Sequence, residues 1–269
     1  VRKLLAYCGY PGMKVLQFAF DSDDGNLDLP EGTDERPLVT FALFAYNQEK
    51  YIREAVEGAF SQTYSPLEII LSDDCSSDRT FEIIQEVAAA YEGPHKVIAL
   101  RAKRNLGLAA HINRVACQLS GKFVVVSAGD DISEPTRTAE LMKKFQSDPQ
   151  SFAVFSGYTI FGTKTPPVFR DLMHTRRVST VELVMGAGGI QKGATYAYRK
   201  ECFAWPSPLP IWVTSEDRIL PLRAALLGHV QHVCDRLVQY RVSDTPVEVL
   251  ERQQRLLSHQ NPRHWILLR

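Results

Sequence analysis

Gly121-Lys-Phe-Val-Val-Val-Ser-Ala-Gly-Asp-Asp131 is the stretch that decides the fold. Phe123 to Val126 is an unbroken aromatic and β-branched run, short enough to be a strand buried on both faces. A glycine then precedes two adjacent carboxylates, Asp130 and Asp131. A buried strand that delivers paired acids at its carboxyl end is where an open α/β sheet places a ligand site. Adjacent carboxylates repel, and they stay ionised by sharing a hard cation with oxygen ligands. The alternative for these residues taken alone is a polar turn capping the next helix.

The same grammar repeats upstream. Leu38 to Ala45 reads as a strand, Tyr46-Asn47 as a turn, and Tyr51, Ile52, Ala55, Val56, Ala59 and Phe60 as one helical stripe. Leu67 to Leu71 is a second strand ending at Ser72-Asp73-Asp74, after which Ser76, Ser77 and Asp78 offer N-cap oxygens to a helix. Lys96 to Leu100 is a third strand, followed by Asn105-Leu-Gly107 and a helix carrying Leu108, Ile112, Val115, Ala116 and Leu119. Four strand–helix alternations predict an α/β fold with a mostly parallel, Rossmann-like central sheet and helices on both faces. A helix over 135–146 and a fifth strand, Phe152 to Ser156, extend it. Beyond Gly157 the alternation breaks: 163–167 and 186–189 read as loops, 194–198 as a weaker strand, Glu216-Asp217 as a helix start, and 230–233 and 236–240 as two short strands.

In a parallel sheet the polar strand ends fall on one edge, so Asp73-Asp74, Asn105-Leu-Gly107 and Asp130-Asp131 converge although far apart in sequence. Arg101, Lys103 and Arg104 lie near that edge, as phosphate partners or as a solvated loop. His111 reads as a polar helix residue, and His229 and His232 as surface strand residues. Trp205 and Trp212 suit either sugar stacking or packing.

Composition sets the limits. Of 269 residues, 45% are apolar and 23% charged, an ordinary globular balance. Lys+Arg and Asp+Glu number 31 each, so no global field draws the chain to nucleic acid. Five widely spread cysteines without CxxC spacing argue against a disulfide framework or zinc site and for a reducing compartment. No apolar run reaches the ~20 residues of a bilayer span, and no signal-peptide layout is seen. A cytoplasmic protein is expected, with the basic tail 247–269 as a peripheral contact to the inner face of the plasma membrane or simply an exposed helix. Oligomeric state is not legible.

Two resemblances follow. Residues 9–30, with Gly9-Tyr-Pro-Gly-Met-Lys-Val-Leu-Gln-Phe-Ala-Phe20, Asn26 and Leu29-Pro30, resemble a fragment of the 4-α-glucanotransferases (amylomaltases). That fragment lacks the family's catalytic carboxylates, so 1–36 is expected to be an appended segment and linker without its own activity. Residues 38–244 resemble a family 2 glycosyltransferase of the GT-A fold. The matching residues are Phe44-Ala-Tyr-Asn47, Gln62-Thr-Tyr64, 67–80, Asn105-Leu-Gly107 with Asn113, Ser120-Gly-Lys122, Ala128-Gly-Asp-Asp131, Ser215-Glu-Asp217 and Tyr240-Arg241.

This second resemblance implies a transferase domain over 37–246 that takes a nucleotide-sugar donor, a UDP-sugar above all, and a saccharide or lipid-linked acceptor. It implies Mn²⁺ or Mg²⁺ held by Asp130 and Asp131, with Asp131 the favoured direct ligand. Phe44, Ala45, Asn47, Asp74, Arg101, Asn105, Gly107 and Asp130 would bind the donor, with Asp74 accepting the uracil imide N–H. Asp217 would be the general base of an inverting transfer. Two departures stand out. Ala128 replaces an acid found in many relatives, and Val242-Ser243-Asp244 stands where many carry a histidine. The absence of a Gln-X-X-Arg-Trp motif points to single addition rather than polymer extrusion. Ala128 also leaves open a non-catalytic nucleotide-sugar-binding module.

Overall fold

The computed structural model describes residues 36–162, 174–184 and 192–242. The expectations for 1–35, for the loops at 163–167 and 186–189, and for the basic tail at 247–269 lie outside these residues.

The first half is as the periodicity requires. Strands β1 (Val39–Ala45), β2 (Leu67–Asp73), β3 (Lys96–Arg101) and β4 (Phe123–Ala128) form a parallel block in the order β3-β2-β1-β4. Helices α1 (Ile52–Phe60), α2 (Thr80–Ala89) and α3 (Leu108–Ala116) connect them. Side chains on β1 alternate between faces, as a strand's period of two demands. Phe41 and Leu43 join Ile69, Leu71, Ile52, Val56 and Ile84 in one core layer. Ala42 joins Ile70, Ile112, Val124 and Val126 in the other. Helices therefore cover both faces, and β1, β2 and β4 are buried almost throughout while β3 forms a half-exposed edge.

The second half is mixed. After β5 (Ile132–Ser133) and α4 (Arg137–Ser147), strand β6 (Ser151–Phe161) does not pair with β4. The segment 194–198, the weaker strand of the sequence, supplies β8 (Tyr196–Arg199), which slots antiparallel between β4 and β6. Tyr196 and Tyr198 stack there with ring centroids 5.1 Å apart, so aromatic packing replaces the β-branched signal. The two short strands read at 230–233 and 236–240 are one bulged strand, β9 (His229–Arg241), parallel to β6, with register shifts around Gly157. Strand β7 (Arg176–Val178) and β5 pair antiparallel with β9, while α5 (Thr180–Val184), α6 (Glu201–Ala204) and α7 (Glu216–Leu227) complete the described elements. The antiparallel ladders are only two or three residues long, against seven and ten in the parallel pairs β1–β2 and β6–β9. The sheet is thus mostly parallel, and its β4 end faces the start of α7.

Several residues that carry the sequence resemblance hold loops together. Gln62 is buried; its amide donates to the Gly58 and Glu134 carbonyls (2.9 Å each) and accepts from Thr138. Ser120 donates from backbone and side chain to Glu68, a buried acid that also takes Thr40 and Lys96. Those bonds outweigh burial and hold the Glu68 carboxyl below its ordinary pKa. Asn113 clamps both the N–H (2.8 Å) and the carbonyl (2.7 Å) of Leu209.

Candidate active site

At the carboxyl edge of the parallel block lies a cleft of about 580 Å³, within the range of small-molecule sites. Phe44, Ala45, Asp74, Asn105, Gly107 and His111 line one side, Ala128, Gly193 and Glu216 the other. The backbone ties its floor together: Asp74 N–H donates to the Ala45 carbonyl and Gly129 N–H to that of Phe44, both at 2.9 Å.

The two acids ending β2 have separate tasks. Asp73 is fully buried; it accepts from Ser76 and sits 3.4 Å from Arg101 Nε, its register partner on β3. Asp74 turns to the cleft, where its oxygens accept the N–H groups of Leu106 (3.0 Å) and Gly107 (2.9 Å). Asn105 Oδ1 takes the Gly107 N–H as well, at 2.8 Å. Gly107 has φ +75°, the left-handed region, and a side chain there would strain the turn that brings these donors to Asp74.

Two of the expected donor residues have partners outside the cleft lining. Arg101 lies outside the cleft lining: its guanidinium serves Asp73, donates to the Ser76 carbonyl (2.8 Å) and covers the Phe81 ring. A fully buried carboxylate demands a cation, and the register supplies this one. Asn47 (φ +53°) likewise faces the neighbouring loop, with its Oδ1 accepting the Ser77 N–H at 2.9 Å.

The two acids of Asp130-Asp131 differ in burial. Asp131 is 2% exposed, and its Oδ1 accepts the Arg241 N–H at 2.8 Å. Burial, then the charge of Asp130, pushes its carboxyl up to about 8. Asp130 is half-buried at the turn. Arg241 fixes that turn: its Nε donates to the Asp130 carbonyl (2.9 Å), its fork reaches Glu54, and its guanidinium lies between the Tyr51 and Phe161 rings at 4.5 and 4.2 Å. Beneath the turn Arg137 is fully buried and donates to Ser133 and to the carbonyls of Val126 and Ala194. Burial lowers its guanidinium to about 9, and Asp131 opposes that.

Asp217 reaches the same region from α7. Tyr240 marks the convergence, since its phenol is raised by burial first and then by Asp131, Asp130 and Asp217. Acids separated by most of a domain therefore act on one hydroxyl. Gly193 seats the other end of this wall: a Cβ there would lie 2.6 Å from Glu216 Oε1 and 3.5 Å from Asp217 Cβ. Trp212 is 80% exposed, which removes the core-packing alternative, whereas His232 is 1% exposed and packs on Phe155 rather than on the surface. His111 is buried too, against its reading as a polar helix residue, because it points inward at Ser72.

The profile of Glycosyl transferase family 2 matches residues 40–201, more than half of the chain. The chain belongs to this glycosyltransferase family. The uncharacterized protein Rv1520 of Mycobacterium tuberculosis is 28% identical over 211 residues, covering 76% of this chain and 58% of that protein. Among solved structures, S. aureus TarS in complex with UDP superposes with a TM-score of 0.63 at 18% identity, covering 79% of this chain and 62% of that one. The mannosyltransferase PcManGT of Pyrobaculum calidifontis, in complex with GDP-Man and Mn²⁺, gives 0.58 at 20% identity, covering 79% and 59%. The chain thus spans about three-fifths of the length of each of these three proteins, and the structural likenesses confirm the GT-A fold. The amylomaltase resemblance of residues 9–30 is not shown by these comparisons.

Proposed function

We propose that the cleft binds a nucleotide-diphospho-sugar, a UDP-sugar above all, and transfers its sugar with inversion to a saccharide or lipid-linked acceptor, as in cell-surface polysaccharide synthesis. The observation that carries this reading is a cleft lined by Asp74, Ala128 and Glu216, with Asp130 and Asp217, close in sequence to the last two, both acting on the Tyr240 phenol. Asp74, Phe44, Ala45, Asn105 and Gly107 hold the base, and Asp130 faces the diphosphate. The ligands of the TarS and PcManGT complexes, UDP and GDP-Man with Mn²⁺, support a donor of this class.

Among the described residues no group of three or more His, Cys, Asp or Glu is arranged to hold a metal ion. With Ala128 in the motif, Asp130 and Asp131 are the carboxylates that would hold Mn²⁺ or Mg²⁺, Asp131 also accepting the Arg241 N–H. That fits a hard cation bound mainly by donor phosphates and water, as such ions are with one or two carboxylates. When bound, such an ion would supply charge stabilisation for the departing diphosphate. Asp217 takes the proton of the acceptor hydroxyl as that oxygen bonds to the anomeric carbon. The bond from that carbon to the diphosphate oxygen breaks on the opposite face, its electron pair leaving with the nucleotide.

The transferase domain is taken as 37–246, flanked by the appended segment 1–36 and the basic tail 247–269. No described helix is long and apolar enough to cross a membrane. A cytoplasmic enzyme with peripheral contact through the tail accords with this reading. Asp217→Asn tests it: donor binding should persist while transfer and donor hydrolysis fall at least a hundredfold, by loss of general-base catalysis. Full activity in that variant would refute the base. Donor binding in the wild type with neither transfer nor hydrolysis would favour the non-catalytic module that Ala128 suggests.

A further inference from the structure

Ser72 and His111 form a buried pair at the base end of the cleft that no step above uses. Ser72 ends β2 at 2% exposure, and its Oγ lies 2.6 Å from His111 Nε2. A buried hydroxyl proton without an acceptor is costly, and among the described residues Nε2 is the partner Ser72 has. The hydroxyl therefore donates to Nε2, and the neutral imidazole carries its proton on Nδ1. Neutrality follows from burial, which lowers the His111 pKa despite the opposing pull of Asp74 and Asp73. No described residue accepts from Nδ1, although the ring is 3% exposed, lines the cleft and meets the Phe44 ring edge-on at 5.3 Å. Beside it, Asp74 offers acceptor oxygens only: two lone pairs take Leu106 and Gly107, and the rest remain for a ligand.

We propose that His111, set by Ser72, is a specificity-determining residue that, with Asp74, selects a nucleobase with a keto–imide edge, as in uracil, over one with an amino edge, as in cytosine. The proposal deepens the nucleotide-sugar reading and rests on it. An imide N–H meets the carboxylate while the adjacent carbonyl accepts from Nδ1–H. Cytosine presents a ring nitrogen lone pair to the carboxylate and an amino group to Nδ1–H, so both contacts fail. Sites built around a hydrogen bond reject the analogue that cannot make it, because their buried polar groups are left unpaired.

The test is calorimetric titration of the full chain with UDP and CDP in the presence of Mn²⁺. The wild type should bind UDP at least about tenfold more tightly than CDP, the cost of one unmet buried donor. His111→Phe, which keeps a ring but no donor, should weaken UDP about tenfold and bring the ratio towards unity. His111→Asn restores an N–H and should recover part of the preference. Ser72→Ala keeps the ring, frees the proton to sit on either nitrogen and should lower the ratio partway, which serves if the Phe variant misfolds. An unchanged UDP:CDP ratio in His111→Phe or, should that variant misfold, in Ser72→Ala overturns the role of His111 while leaving the donor site standing. Failure of the wild type to bind either nucleotide overturns both this proposal and the reading beneath it.

Discussion

Replacing Arg241 by Met keeps the aliphatic stem and removes the guanidinium that fixes the Asp130 turn. The lost interactions are the Nε bond to the Asp130 carbonyl, the ion pair with Glu54, and the two ring contacts with Tyr51 and Phe161. The Glu54 carboxylate is about half exposed, so that pair contributes well under 1 kcal/mol. The Nε bond comes from a charged donor and is worth about 1.5–3 kcal/mol, and each ring contact adds roughly 0.5–1 kcal/mol. The Met stem recovers part of the ring contact, so a net loss of about 2–3 kcal/mol is expected in urea denaturation. The backbone bond from Arg241 to Asp131 survives the substitution, so the fold should persist. The loss should also appear in function: with the turn loosened, Asp130 is less well aimed, and the Mn²⁺ concentration that half-saturates donor binding should rise. A variant within 0.5 kcal/mol of wild type, with unaltered Mn²⁺ dependence, would refute the role given to this side chain.

Three further predictions follow from the same geometry. Asp131 has its pKa raised to about 8 from 3.8, so its protonated form is favoured by the fold. Its contribution to stability is full below pH about 4 and lost as pH rises through about 8, and Asp131→Asn should flatten that part of the melting-temperature profile of the ligand-free protein. A profile equally steep in the variant would mean that the carboxyl is not held protonated. Gly193→Ala places a methyl 2.6 Å from Glu216 Oε1, so Glu216 must move from the cleft wall. Transfer activity should fall about tenfold or more with little change in melting temperature, since small misplacements at a site are costly. Leu71→Ala opens a cavity at a fully buried strand position and should cost about 2–5 kcal/mol by denaturation, with cooperative unfolding retained.

The parallel block was legible because each of its strands is a short apolar run ended by polar residues. That Asp74, Asn105 and Gly107 share one edge was legible for the same reason: topology alone brings strand ends together. What the sequence hid were directions and distant partners. Asp130 and Asp131 are adjacent, and nothing in their order shows that Asp131 is the buried one, its Oδ1 accepting the Arg241 N–H from 110 residues away. Arg101 looked like a phosphate ligand until its register opposite Asp73 was known. His111 sits four residues past a glycine turn, one helical turn inside α3, so its ring meets β2 rather than solvent. A signal was present in the apolar stripe of α3, which runs through Ile112 and Val115 beside it. The bulge in β9 broke one strand into two apparent ones, since an extra residue shifts the alternation.

The central claim is that Asp74 and Asp130 frame a nucleotide-sugar site on which Asp217 acts. Its most direct test is the thermal stability of the full chain against a panel of nucleotide sugars, with and without Mn²⁺, in the wild type, Asp74→Ala and Asp130→Ala. The account predicts that a UDP-sugar raises the wild-type melting temperature, more so with Mn²⁺. It predicts that Asp130→Ala loses the Mn²⁺ increment and Asp74→Ala the nucleotide effect itself. No shift with any nucleotide sugar, or shifts of full size in both variants, would contradict it.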